Sequence, residues 1–243
     1  MIYHKQLTQS TNDDARSSEY QHMDVIWAEQ QSAGRGQRGH SWHSREGENL
    51  TFSVVLTPEF LPIVEQFLLS EIVALSLVEA LSEYGVECRI KWTNDIYTGD
   101  NKIVGVLIEH SLSGDKIVRT IAGIGINVNQ REFSADLPNP TSMLRECEGR
   151  EFDCAEVLAR FEQALAHRYG QLREGAAEQL QRDYHERMYR LNEQHTYALP
   201  SGERFEATLR GVLPSGDLLL ERADGSHHSY LFKEVEFVIA SRR

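Results

Sequence analysis

The chain has 243 residues, 40% of them hydrophobic and 26% charged, which supplies material for a substantial core in one large domain or in a large and a small one. A net charge of −12 argues against broad, sequence-independent nucleic-acid binding, so an anionic ligand must be met by a local basic patch. Cys88, Cys147 and Cys154 are an odd number without CxxC spacing and read as free thiols of a reducing cytoplasm.

The N-terminal run "MIYHKQLTQSTNDD" lacks the apolar core of a secretion signal. In "STNDDARSSEY", Ser10, Thr11 and Asn12 are good helix N-caps, and the two aspartates that follow suit the positive end of a helix dipole, so a short helix is expected. A strand is expected at about 23–30 and another at about 49–57, with the glycine-rich run "SAGRGQRGHSWHS" between them. A long helix covers about 61–84, apolar on most faces and closed by Gly85. Glu65, Gln66, Glu71 and Glu79 interrupt its apolar run, which makes it a buried helix and not a membrane span. From residue 88 onward, "CRIKWTNDIYTG", "KIVGVLIEHSL" and "IVRTIAGIGINVN" read as an antiparallel meander with turns near Gly99–Asp100 and Gly114–Asp115. "LPNPTSML" is a loop, and 153–190 is helical. Short strands then run to the C-terminus. They form a barrel-like unit of about 50 residues, small enough to need docking on its neighbour.

Four stretches could carry chemistry. In "GRGQRG" the glycines let backbone N–H groups turn toward a ligand, while Arg35 and Arg38 offer planar forks for phosphate or carboxylate. It is neither a Walker loop nor a dinucleotide fingerprint, and a flexible structural loop explains it equally well. "KWTNDI" places Ile90, Trp92 and Ile96 on one strand face and Lys91 on the other, with Asn94 and Asp95 at a turn. That set suits a nucleotide, a metal or plain solvent. In "KIVGVLIE", strict alternation puts Lys102, Val104, Val106 and Ile108 on one face, and Ile103, Gly105, Leu107 and Glu109 on the other. Gly123 and Gly125 of "GIGINVN" bare one strand face, either for a flat ligand bonded at its edge by Asn127 or Asn129, or for tight packing. His40 and His43 lack a third metal ligand, and His227–His228 read as a polar turn.

Each stretch is weak alone; their order is specific. "STN", "EQQSAGRGQRGHSW", "KWTNDI", "KIVGVLIE", "GIGINVN", "NPTSM" and "GVLPSGDLLLE" together resemble the biotin–protein ligases over nearly the whole chain. The resemblance implies an α+β fold. A mixed, mostly antiparallel sheet with helices, similar to class II aminoacyl-tRNA synthetases, would occupy 1–192, and a small SH3-like β domain 193–243. It implies activation of biotin by ATP and Mg²⁺ to biotinyl-5′-AMP, then transfer to a lysine of a biotin carboxyl carrier domain of a carboxylase. Ser10, Thr11, Asn12, Gln31, Arg35, Gly36, Gln37, Lys102 and Gly105 would bind biotin. Arg38, Trp42, Lys91, Asn94 and Asn127 would bind ATP. Lys102, Arg35, Arg38 and Asp95 would be catalytic, with Asp95 as base of the transfer step; no metal ligands are assigned.

Two departures stand out. Gln37 replaces an arginine that helps members retain the adenylate, leaving that task to Arg35 and Arg38, and Thr93 replaces the proline of "KWPND". The chain also begins directly at the motif-bearing region, the short form without an N-terminal DNA-binding domain, so DNA is not an expected partner. An exposed edge of the central sheet suits the carrier domain or a second copy in a homodimer. The rival readings are a ligase for lipoate or another small carboxylic acid, and a non-catalytic sensor of biotin or its adenylate.

Overall fold

The computed structural model describes residues 1–37, 42 and 44–240. In chain order the elements are β1 (Ile2–Thr8), α1 (Thr11–Asp14), β2 (Val25–Gln31), β3 (Leu50–Leu56), α2 (Phe67–Ser82), β4 (Arg89–Lys91), β5 (Asp95–Thr98), β6 (Asn101–Ser113) and β7 (Lys116–Ile126). Then follow α3 (Met143–Glu146), α4 (Cys154–Arg173), α5 (Ala177–Glu186), β8 (Gln194–Ala198), β9 (Arg204–Val212), β10 (Leu218–Arg222), β11 (His227–Tyr230) and β12 (Glu236–Phe237).

Among the described residues, seven strands form one sheet in the order β1-β2-β3-β7-β6-β5-β4. Every neighbouring pair is antiparallel except β1 with β2. The meander from β4 to β7 matches the sequence expectation, with Gly99 and Gly114 at positive φ in its turns. β1 does not: no residue of this edge strand is buried, so no apolar alternation announces it. The long helix starts later than expected. Pro62 is extended and a single 3₁₀ turn, Ile63–Glu65, precedes it.

The two faces of the sheet differ in chemistry. Leu50, Phe52, Val54, Val104, Val106, Ile124 and Ile126 belong to the main core with α2, α4 and α5. Phe52 meets Phe161 of α4 edge-on at 5.2 Å between centroids. Being apolar nearly all round, α2 is enclosed between the sheet and the other helices. On the opposite face, Ile26, Val55 and Ile121 pack with Ala15 and Tyr20, and beside them lie polar and glycine positions.

The second sheet, β11-β10-β9-β8-β12, is antiparallel throughout and shares the main core through Tyr197, Leu209, Leu218 and Leu220. The fold is thus mixed α and β with mostly antiparallel sheets and a small C-terminal β-sheet. Trp92 donates its indole N–H to Gly216 O at 2.8 Å, and Val212 N donates to His185 Nε2 at 2.9 Å. Gly216 has φ +95°, and a Cβ there would sit 2.7 Å from the Phe67 ring, so this junction needs glycine on both counts. His227 and His228 are not a turn: residues 223–225 turn the chain, and the histidines open β11 opposite Glu221 and Leu220. No helix among the described residues is long and apolar enough to cross a membrane.

One carboxyl breaks the apolar rule. Glu71 lies inside α2 at 1% exposure with Oε2 unpartnered, and burial pushes its carboxyl up to about 8. A raised carboxyl keeps a proton in the folded state that the unfolded chain releases, so stability falls as pH rises from about 4.5 toward 8. Thermal melts of Glu71→Gln should show a flatter pH dependence across that window, with a gain on the order of a few kcal/mol at its alkaline end. Parallel melting curves for the two proteins at every pH would contradict this.

Candidate functional site

Strict alternation along β6 places Lys102 with the core valines. The structure corrects that placement through a β-bulge. Val104 pairs with Ile96, but Lys102 pairs with Tyr97, so Ile103 is an extra residue in the ladder. Directly paired residues share a face. Lys102 therefore joins Tyr97 and Asp95, while Val104 stays with the core. Its Cε comes within 3.3 Å of where a Gly105 Cβ would be. The Lys102 ammonium donates to Asp95 Oδ2 at 2.7 Å, and Asp95 Oδ1 is buried without a partner.

Both residues line a small cavity of about 50 Å³. Ser10, Thr11, Asn12, Gln31, Arg35, Gly36, Gln37, Trp42, Asp95, Lys102 and Gly105, all assigned to the site from sequence, line it too. Lys102 and Arg35 thus border one space. Sequence reasoning did not assign Thr51, Phe52, Val106, Leu107 and Ile124, which complete the lining with the glycines of β7.

Polar residues of the wall order one another. Ser10 occupies the N-cap position of α1 with extended backbone, yet its hydroxyl makes no capping bond, and the residue lines the cavity. Gln31 Oε1 accepts from Thr11 N at 2.7 Å. Ser53, fully buried on β3, lies 2.6 Å from Asn12 Oδ1 and 2.7 Å from Thr11 Oγ1. The amide oxygen can only accept, so the single Ser53 proton goes to Asn12 and the Thr11 hydroxyl can donate to Ser53. A lone serine in "NLTFSVVL" gives no sign of this until β3 is paired with β7.

Bare strand positions shape the rest. Gly105 and Gly125 are direct cross-strand partners, and the Trp42 indole lies across both. A Cβ on Gly125 would meet Trp42 Cε2 at 2.1 Å, and one on Gly123 would meet Asn12 Oδ1 at 2.1 Å. The flat group on the glycine face is here the protein's own tryptophan.

Arg35 donates to Asp13 at 2.8 Å and grips Glu109 with both terminal nitrogens, at 3.2 and 3.0 Å. Burial raises the Glu109 carboxyl, but hydrogen bonds from Asn12 and Arg35 outweigh it and hold the group below the usual carboxylate range. The pairing is accordingly intact at neutral pH and is lost only as pH falls through that depressed value. Gln37 Nε2 donates to Asn94 Oδ1 and to Val106 O, both at 2.9 Å, tying the glycine-rich segment to the "KWTND" turn and to β6.

Of the expected ATP residues that are described, Trp42 lines the cavity and Lys91, Asn94 and Asn127 do not. Asn94 is 4% exposed and accepts from Gln37 and Thr93. Asn127 gives its amide to Thr141 O at 2.9 Å, bracing the 139–143 segment, and does not line the cavity. Lys91 stands over the rings of Tyr97 and Phe237 at 5.3 and 5.0 Å, also away from the lining. It pairs with Asp95, however, so it shares the cavity's face of the sheet one strand further out. Arg38, His40 and His43 lie outside the described residues. Among those described, no three His, Cys, Asp or Glu side chains converge on a metal-sized space.

Gly125→Ala should expel the Trp42 indole, because both atoms in the clash are held by backbone or ring. Tryptophan emission should shift to longer wavelength in this variant and not when Gly125→Ala is made in a Trp42→Phe background. An unshifted spectrum in the single variant would deny that the glycine pair seats the ring.

Residues 3–127 match the profile of the Biotin/lipoate A/B protein ligase family. The bifunctional ligase/repressor BirA of Bacillus subtilis (strain 168) is 33% identical over 174 residues, 70% of this chain and 53% of that protein. The present chain therefore spans about half the length of that relative. The biotin–[acetyl-CoA-carboxylase] ligase of Mycobacterium tuberculosis is 28% identical over 222 residues, 88% of this chain and 80% of the relative. The structure of the biotin protein ligase from Aquifex aeolicus in complex with biotin and ATP superposes with a TM-score of 0.82 at 28% identity, covering 98% of this chain and 99% of that one. With half its length matched by that profile, this chain belongs to the Biotin/lipoate A/B protein ligase family.

Proposed function

We propose that this protein activates biotin with ATP and transfers the biotinyl group to a lysine of a carboxylase's biotin carboxyl carrier domain. The observation that carries the reading is the shared cavity, whose lining combines the polar residues Ser10, Thr11, Asn12 and Gln31 with the Lys102–Asp95 pair. A ligand with a hydrogen-bonding head and a carboxylate tail fits that polarity, and biotin has both. Residues 1–192 would hold the chemistry and 193–243 an ancillary β unit. The three free cysteines suit a reducing, cytoplasmic setting.

In the first step a biotin carboxylate oxygen attacks the α-phosphorus of ATP, the bond to the β-phosphate oxygen breaks, and pyrophosphate leaves. Two anions must meet. The Lys102 ammonium, aimed by Asp95, stands where it can hold the carboxylate and the α-phosphate together and stabilise charge that grows during transfer. Arg38 is assigned to the phosphates. The nucleotide extends along the sheet face toward Lys91, which the strand register puts on the Asp95 side. Magnesium would enter with ATP and would neutralise phosphate charge there, since no three His, Cys, Asp or Glu side chains are gathered to hold it among the described residues.

In the second step the carrier amine attacks the acyl carbon, the acyl–phosphate bond breaks, AMP leaves, and the amine proton goes to a base. A lysine amine normally stays protonated to a pH near 10.4, so that base matters. Asp95 Oδ1 is the group we assign, since Oδ2 is already engaged by Lys102. The free edge of the sheet at β1 is where a carrier strand, or a second copy, would add.

Pyrophosphate release with biotin against lipoate separates the reading from the lipoate rival, and labelling of a carrier domain in MgATP excludes a mere sensor. Lys102→Ala should lose adenylate formation by a factor of about a hundred or more while its melting temperature holds. Near-wild-type pyrophosphate release would remove Lys102 from the chemistry. For Asp95→Asn, transfer from preformed biotinyl-5′-AMP should slow; if only adenylate formation slows, the base assignment is wrong.

A further inference from the structure

Glu109 was read from sequence only as a member of the Gly105 face of β6, and no role in the reaction follows from that. Its carboxylate nevertheless collects more partners than any single function requires. Asn12 Nδ2 donates to Oε2 at 2.9 Å, Arg16 donates to Oε1 at 2.9 Å, and the Arg35 fork takes both oxygens. These donors come from three separate stretches: α1, the turn after it, and the glycine-rich segment, 74 to 97 residues away in sequence.

The Asn12 end decides what the cavity offers. Ser53 donates to the amide oxygen, so the amide nitrogen must point the other way, and the acceptors it finds are Glu109 Oε2 and Leu107 O. The Leu107 contact is long, at 3.4 Å, so the orientation rests on Glu109. Both amide hydrogens are thereby consumed. What Asn12 retains for a ligand is the second lone pair of Oδ1, an acceptor, and it matches a ligand N–H. The Arg35 end is different. Its charge is met by Glu109 and Asp13 together, so in this arrangement the guanidinium fastens the root of the glycine-rich segment to the sheet.

We infer that Glu109 is a positioning residue for the biotin end of the site, one that fixes Asn12 as an acceptor and clasps the Arg35 segment at the cavity's rim through the same carboxylate. The inference rests on the assignment of biotin to this cavity. Removing the charge by Glu109→Gln leaves one acceptor oxygen, which cannot serve the amide and the guanidinium fork at once.

Calorimetry with biotin and steady-state pyrophosphate release, on the full chain, test it. Glu109→Gln should weaken biotin binding about tenfold or more, and raise the biotin KM by a larger factor than it lowers kcat. Glu109→Asp, which keeps the charge and shortens the reach, should recover part of the loss. In a double-mutant cycle with Arg35→Ala, the second substitution should cost much less than it does alone. Unchanged biotin affinity in Glu109→Gln, or fully additive effects in the cycle, would overturn the inference. Should Glu109→Gln fail to fold, Glu109→Asp carries the test: wild-type affinity in that variant overturns the inference. Failure of the functional reading looks different, because then the unaltered protein itself gives no heat with biotin and no pyrophosphate.

Discussion

A β-sheet face can seat a flat ring against its backbone only where side chains are missing from adjoining strands in the same register. Here Gly105 lies directly opposite Gly125, and Gly123 lies next but one along β7. Neither strand alone would suffice, since a Cβ from either would fill the gap. The consequences spread outward from that pairing. Trp42 can lie flat on the sheet, Asn12 can reach down to Ser53, and the Lys102 stem can cross the surface of β6. Strand glycines weaken a sheet by losing packing and gaining unfolded-state freedom, so three on one face are a stability cost concentrated at the site.

The bulge at Ile103 is the second requirement. In a regular strand, a residue three positions before Gly105 would lie on the opposite face, inside the core, where a lysine could not keep its charge without a partner. One extra residue in the ladder turns Lys102 through to the bare face and still leaves Val104 and Val106 packed beneath. Pairing with Asp95 then fixes the ammonium laterally. The 139–141 segment completes the support: Lys102 N donates to Asn139 O, and Thr141 N donates to Lys102 O. Asn127 holds that segment from behind. Its contribution to Lys102 is mechanical, through the backbone it braces.

Much of this was legible in the chain, for reasons that also explain what was not. The meander showed because its strands are β-branched and its turns carry glycine. The helix α2 showed because eleven of its sixteen residues are apolar and lie on most of its faces, so it can only be buried. The cavity residues of the STN and GRG runs showed through their order along the chain. By contrast β1 has no buried face to leave a pattern, and Ser53 and Glu109 are single polar residues whose partners lie dozens of positions away. Alternation did put Glu109 on the glycine face, but nothing local identified what it would hold. The facing of Lys102 was misread because a bulge is a property of two strands together, and no single strand encodes it. Lys91 and Asn127 carry the right chemistry for a nucleotide, yet their nearest structural duties are a stack on Tyr97 and Phe237 and a bond to Thr141.

An acidic protein whose proposed ligands are anions faces a conflict between its overall field and its site. The structure resolves it pair by pair. Lys102 faces Asp95, and Arg35 faces Asp13 and Glu109, so each of the two cations lining the cavity among the described residues is held by a nearby carboxylate. Such pairing lowers the pull that a bare cation would exert at long range, but it removes the cost of ordering a long side chain at the moment a ligand arrives. It also makes the exchange local. An incoming carboxylate or phosphate need only share or displace an oxygen already in place, and the chain's net charge of −12 enters weakly, because screening confines distant charges to about one Debye length. Pre-paired cations on a bare glycine face are therefore compatible with a strongly acidic surface, whereas a cluster of unpaired cations would have had to be built and kept apart at the expense of the fold around it.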